Sequence, residues 1–212
     1  MTTVLVLAKE PVPGRVKTRL SPPYSLSQAA ALAEAALSDS LAVVAQAPAE
    51  RRVLVLDGQP GRWLPDGIDV VAQCAGPLDA RLAAAFAGCA GPAVLIGMDT
   101  PQLTPALLAP ALRDDAWHTC DAWFGPAADG GFWALGLAVP EPALLSGVPM
   151  SRPDTGALQR QRLLDAGLRV RELATLRDVD TAEDALAVAA QAPHTRFAAL
   201  LARMTPAGGE PG

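Results

Sequence analysis

Val4-Leu5-Val6-Leu7-Ala8-Lys9-Glu10-Pro11-Val12-Pro13-Gly14-Arg15-Val16-Lys17-Thr18-Arg19-Leu20 is the stretch from which the rest of the chain is read. Its β-branched apolar start, bounded by Pro and Gly, predicts a buried strand emptying into a loop. Four cations, Lys9, Arg15, Lys17 and Arg19, fall on that loop, and Gly14 lets the backbone turn close to whatever they hold. Lys9 and Lys17 are the only lysines in the sequence; every other basic residue is Arg. Lysine is a compact, mobile point charge able to follow a phosphate, whereas Arg is a planar fork. The loop reads either as a polyphosphate cradle or as a solvated basic turn.

Bulk properties narrow the classes. The chain has 212 residues, half of them hydrophobic, with 4% aromatics. That is enough for a sizeable core and favours helices packed on a sheet. A net charge of −5 gives no global basic field for nucleic acid and no polybasic segment for a membrane. Any anion site is therefore local. Cys74, Cys89 and Cys120 are odd in number and form no CxxC, and His118 and His194 are the only histidines. Reduced thiols in a cytoplasmic protein are the expectation, and a His/Cys metal site or a His-based triad has little to draw on. No signal peptide is visible, and no apolar run reaches membrane-spanning length without Pro or a charge.

Strand and helix patterns then alternate. Ser25 or Ser27 caps a helix to about Ala45, with Asp39 read as a solvated helix residue. Strands are expected at Val53–Leu56, Ile68–Ala72, Ala93–Ile96, Asp121–Gly125, Phe132–Leu137 and Arg169–Leu173. Helices are expected over about 78–89, from Thr104 as cap with Pro105 first, over 157–166, over 182–190 behind a Thr181/Asp184 capping box, and over 194–204. Arg81 in the first turn of its helix is poorly placed for the macrodipole, so it has either another partner or a surface salt bridge. The pattern predicts a three-layer α/β fold with a mainly parallel sheet, one domain over 1–204 and a flexible tail over 205–212. Ligands in such folds lie outside the carboxyl ends of the strands. That places the Lys9–Arg19 loop and Asp99 on one edge: lysines for phosphate oxygens, a carboxylate for Mg²⁺.

Four ordered motifs carry a resemblance. They are Lys9-x-Pro11-x-Pro13-Gly14-x-x-Lys17-Thr18-Arg19-Leu20, Ile96-Gly97-x-Asp99-x-Pro101-x-Leu103, Gly125-Pro126-Ala127-x-Asp129-Gly130-Gly131-Phe132 and Asp178-Val179-Asp180-Thr181-x-Glu183-Asp184. Together they resemble the DUF2064 family, described as glycosyltransferases of GT-A-type fold. That family is similar to the 2-phospho-L-lactate guanylyltransferases and, more distantly, to the molybdenum-cofactor nucleotidyltransferases. The resemblance implies a nucleotide-binding α/β fold with one antiparallel strand, at Phe132–Leu137, and transfer dependent on Mg²⁺ or Mn²⁺. It implies that Lys17, Thr18 and Arg19 lie on a nucleoside triphosphate, that Asp99 binds metal, and that Asp180 or Asp178 is a second acidic position. Asp129, Gly130 and Gly131 shape an acceptor pocket or, in the plainer reading, a hairpin turn. Arg81 joins them as a substrate-side candidate. The chain departs from the molybdenum-cofactor loop Gly-Gly-x-Ser-x-Arg by carrying Pro11-Val12-Pro13-Gly14, and from the Trp-Ser-Thr of many relatives by carrying Met150-Ser151-Arg152. Neither base nor acceptor carries over.

Two enzyme readings share this fold. In nucleotidyl transfer, an acceptor attacks the α-phosphorus of a nucleoside triphosphate and pyrophosphate leaves; Lys17 and Asp99 are the expected catalytic pair. In glycosyl transfer, a nucleotide sugar is the donor and a nucleoside diphosphate leaves. Four cations suit a triphosphate better than a diphosphate, and the lone Asp-x-Asp lies late in the chain, so nucleotidyl transfer to a small-molecule acceptor is favoured. A non-catalytic nucleotide-binding protein is the contrasting class. A dinucleotide-dependent dehydrogenase is disfavoured, because no Gly-x-Gly-x-x-Gly follows the first strand.

Overall fold

The computed structural model describes residues 2–204; the tail expected over 205–212 lies outside the described residues. Seven strands form one sheet: β1 (Thr3–Lys9), β2 (Arg51–Asp57), β3 (Asp69–Ala72), β4 (Ala93–Ile96), β5 (Ala122–Pro126), β6 (Phe132–Leu137) and β7 (Val170–Glu172), in the order β3-β2-β1-β4-β6-β5-β7. Pairings β1–β2, β1–β4, β2–β3 and β5–β7 are parallel; β6 alone runs against its neighbours β4 and β5. The helices are α1 (Leu26–Gln46), α2 (Leu78–Ala87), α3 (Pro105–Leu112), α4 (Thr155–Asp165), α5 (Ala182–Gln191) and α6 (Arg196–Leu201). The expected α/β class, mainly parallel sheet and single antiparallel strand are present.

Strand alternation makes the layers. Val4, Val6 and Ala8 of β1 pack toward Leu37, Leu41 and Val44 of α1 and Leu108 of α3. Leu5 packs on the other face with Leu82 and Phe86 of α2 and Leu163 of α4. α1 is long and apolar enough to cross a membrane by length and composition, a test that a mostly buried core helix also passes. Its far side meets a third cluster: Ala29, Leu32 and Ala36 with Leu20, Val179, Val188, Phe197 and Leu201. That cluster holds both the segment after β1 and the segment after β7.

Several boundaries move for local reasons. Ser25 is the cap of α1, in a capping box with Gln28. α4 starts at Thr155, before the expected Ala157, because the Thr155 hydroxyl accepts from Arg152 N–H and donates to Pro149 O. The last helix is shorter than the expected 194–204 because Thr195 caps it. Asp39 is a correction: it is not a solvated helix residue but accepts from the Arg196 and Phe197 amides at 3.1 and 2.9 Å, tying α1 to the start of α6. Burial pushes its carboxyl above the usual range. β3 is an exposed edge strand, with Val71 48% accessible.

Candidate active site

β1, β2, β4 and β5 all end on one edge of the sheet, and the segments leaving them carry the candidate residues. After β1 the chain turns through Gly14, whose φ of +79° favours glycine. Val16 then inserts beside Ala30 and Ala33 of α1, and Leu20 is fully buried. These two apolar anchors fix the residues between them. Lys17 lies in the left-handed region, φ 47° and ψ 37°, ahead of a 3-10 turn at Thr18–Leu20. That conformation costs a non-glycine residue on the order of 1 kcal/mol. It aims the Lys17 side chain inward, 12% exposed, while Thr18 and Arg19 remain exposed.

The acidic half comes from two segments. Past β4, Asp99 follows Gly97 and Met98, and Thr104 caps α3, leaving Asp99 free of capping duty. Past β7, Asp178-Val179-Asp180 leads into Thr181, the cap of α5. Val179 is buried in the third cluster, and its amide donates to Asp99 O at 2.9 Å. With Val179 buried between them, Asp178 and Asp180 stand beside Asp99 and Lys17. Gln102 reinforces the approach by donating to Arg177 O at 2.7 Å.

The halves meet at Lys17 Nζ, which donates to Asp99 Oδ2 at 2.6 Å and Asp180 Oδ1 at 2.9 Å. Arg19 reaches the other oxygen of Asp180 at 3.4 Å. Burial alone would lower the Lys17 pKa, but Asp99 and Asp180 outweigh it and hold the ammonium above its ordinary range. Asp178 has the opposite fate. Burial first, then the charges of Asp99 and Asp129, push its carboxyl up to about 8, and its Oδ1 is buried without a hydrogen-bond partner.

Among the described residues no three His, Cys, Asp or Glu side chains already form a metal cage; an ammonium stands where two carboxylates converge. The donor set nonetheless fits a hard divalent cation. Asp99 and Asp180 offer oxygens at one point, and Asp178 adds a buried carboxylate oxygen lacking a partner, the kind of group a cation would satisfy.

The remaining sequence candidates divide between two places. Arg15 pairs with Asp57 at 3.5 Å, and Arg81 reaches the other Asp57 oxygen at 3.7 Å while donating to Gly76 O and Gln73 Oε1. Arg81 thus stands with the cation loop beside β2, across β1 and β4 from Asp129, and not with the Asp129–Gly131 group. The Lys9 ammonium is exposed and makes no ion pair among the described residues. Asp129, Gly130 and Gly131 form the β5–β6 turn, where Asp129 Oδ1 accepts from Gly131 N–H at 2.8 Å. Gly130 has a φ of +89°, and a Cβ there would collide with the Pro153 carbonyl. The turn geometry and this packing account for Gly130. Asp129 still faces the acidic cluster, since its charge contributes to the rise in Asp178.

Sequence reading passed over Asp57 and left Asp178 unresolved from Asp180. Asp57 ends the second parallel strand, and the strand-end rule that singled out Asp99 would have found it. The distinct states of Asp178 and Asp180 depend on Lys17, which no spacing reveals.

A family model described as an uncharacterized protein conserved in bacteria, DUF2064, matches residues 29–152. No curated protein matches the chain. Among solved structures, a Desulfovibrio desulfuricans G20 protein, provisionally described as a nucleotide-diphospho-sugar transferase, is 27% identical with a TM-score of 0.84, covering 95% of this chain and 94% of that one. Rv0371c of Mycobacterium tuberculosis H37Rv, solved as a manganese complex, is 25% identical with a TM-score of 0.56, covering 88% and 97%. The 2-C-methyl-D-erythritol 4-phosphate cytidylyltransferase of Thermus thermophilus is 16% identical with a TM-score of 0.53, covering 90% and 98%; that likeness is one of fold.

Proposed function

We propose that this chain, which belongs to the DUF2064 family, is a divalent-metal-dependent, nucleotide-using transferase that transfers a nucleotidyl group from a nucleoside triphosphate to a small-molecule acceptor. One observation carries the reading: Lys17, on a loop of four cations, is hydrogen-bonded to Asp99 and Asp180, so the cation loop and a pair of carboxylates meet at one strand edge. The manganese bound by Rv0371c and the transferase descriptions of the other neighbours support it. Asp99 and Asp180, backed by Asp178, would hold Mg²⁺ or Mn²⁺. Bound there, the cation would offset the negative charge of the phosphates. Lys17, Arg19 and Lys9 bind the triphosphate, the exposed Thr18 hydroxyl adds a hydrogen bond, and the buried anchors Val16 and Leu20 keep these donors in position. The acceptor oxygen, from a phosphate or from a hydroxyl that gives up its proton to solvent, attacks the α-phosphorus, the bond to the bridging oxygen breaks, and Lys17 and Arg19 take up the charge of the departing pyrophosphate. Asp129 is positioned to orient an acceptor hydroxyl.

Glycosyl transfer from a nucleotide sugar is the second reading. The observation favouring it is that Asp178-Val179-Asp180, although late in the chain, is brought against Asp99. Product analysis separates the two. With nucleoside triphosphates, nucleotide sugars and Mg²⁺ or Mn²⁺ over a panel of hydroxyl and phosphate acceptors, nucleotidyl transfer releases pyrophosphate. Release of a nucleoside diphosphate from nucleotide sugars alone would replace the proposal with glycosyl transfer.

A further inference from the structure

The Lys17 ammonium stands where Asp99 and Asp180 converge, 2.6 and 2.9 Å from their oxygens, and only 12% of its side chain is exposed. A residue whose task is only to greet a phosphate would have no reason to be turned away from solvent. The backbone cannot deliver it either, because Val16 and Leu20 are buried on both sides of it. Lys17 therefore leaves the carboxylates only by rotation about its own flexible four-carbon stem. Asp178 stands beside them, its Oδ1 buried without a hydrogen-bond partner. Arg19, 72% exposed and 3.4 Å from Asp180, is a second cation that reaches the pair Asp99 and Asp180 from outside.

We propose that Lys17 is the resident counter-cation of the metal position, so that metal and triphosphate binding are coupled through transfer of its ammonium from Asp99 and Asp180 to phosphate oxygens. This rests on the metal–nucleotide reading above. A divalent cation arriving alone must displace one positive charge and strand it in a partly buried site. Arriving with a polyphosphate, it leaves the displaced ammonium a new anionic partner. Each ligand then raises the affinity of the other by the same factor, as linkage requires. Either ligand alone therefore binds more weakly than it does in the company of the other.

Calorimetry with Mn²⁺ and tripolyphosphate as probes tests this without turnover. Lys17→Met keeps the apolar stem and removes the charge. It should bind Mn²⁺ alone about tenfold more tightly than the unsubstituted chain, within the usual span of coupling factors. Tripolyphosphate should tighten Mn²⁺ binding about tenfold more in the unsubstituted chain than in Lys17→Met. Arg19→Met removes a neighbouring charge of equal size and should gain much less; an equal gain would mean general electrostatics and overturn the proposal. Should Lys17→Met not fold, NMR of ¹³C,¹⁵N-lysine-labelled protein reports on the intact chain, since Lys9 and Lys17 are its only lysines. The Lys17 ε-signals, assigned with Lys9→Arg, should move when Mg²⁺ and tripolyphosphate bind together; signals that stay in place at saturation contradict the transfer. If Mn²⁺ binding depends on Asp99 but Lys17→Met gains nothing, the counter-cation role fails and the transferase reading stands. If Mn²⁺ binding is indifferent to Asp99→Asn, both fail.

Discussion

Asp178 and Asp180 are two residues apart and chemically alike, yet the fold gives them different lives. Asp180 is satisfied by Lys17 and Arg19, whereas Asp178 is buried beside like charges with an unpartnered oxygen. An acid whose pKa is raised on folding is a liability above its unfolded value. The unfolded chain releases the proton near pH 4, while the folded chain keeps it to about pH 8. Stability from this group is thus lost as pH rises across that window. Asp178→Asn should remove the penalty and raise the metal-free stability at pH 7 by about 1–3 kcal/mol, read as a higher melting point. It should also weaken Mn²⁺ binding. A variant less stable than the parent in the absence of metal would show that Asp178 has a partner that the geometry does not reveal.

Among the elements, strands and caps follow from residues that act on their immediate neighbours. The apolar run of β1, the box at Thr181 and Asp184, and the Thr104-Pro105 start of α3 are each set by a few adjacent side chains, and all are present. What local reading misses is what distant segments decide. Asp39 has no pattern to announce that it caps a helix 157 positions away. Lys17 adopts a left-handed conformation because Val16 and Leu20 find separate apolar neighbours, and nothing in Lys-Thr-Arg predicts it. The site shows the same division: Lys17 and Asp99 are legible from strand ends, their direct bond is not. The β5–β6 turn offers a test at this scale. Gly130→Ala meets both a positive φ and the Pro153 carbonyl, and should cost more than about 2 kcal/mol. Gly147→Ala, at φ +77° but in open space, should cost about 1 kcal/mol. Chemical denaturation compares the two; equal losses would mean that the Gly130 turn does not pack on Pro153 as described.

Across the whole molecule, the third apolar cluster fastens the two halves of the site together. Leu20 after β1 and Val179 after β7 share it with α1, α5 and α6, so the cation loop and the Asp-x-Asp segment rest on one support. Leu20→Ala should cost about 2–4 kcal/mol and, in the folded fraction, weaken polyphosphate binding although Leu20 touches no ligand. Acid stability has another source, remote from the site. Asp121 is held down to about 2 by its hydrogen bonds with Arg169. An acid lowered on folding stabilises above its unfolded pKa and loses that contribution as pH falls through the folded one. Arg169→Gln should therefore lower the melting point at pH 5 to 7 and leave it nearly unchanged near pH 2; a constant offset across that range would contradict the pairing.

The central claim is that the cation loop and the carboxylates form one metal–nucleotide site. Its most direct test is a melting-point screen of nucleoside triphosphates with and without Mg²⁺, on the unsubstituted chain and on Asp99→Asn, since a ligand that binds the folded form raises its stability. The account predicts a rise with at least one nucleoside triphosphate that requires Mg²⁺ and disappears in Asp99→Asn. A rise that ignores both Mg²⁺ and Asp99, or none with any triphosphate, would contradict it.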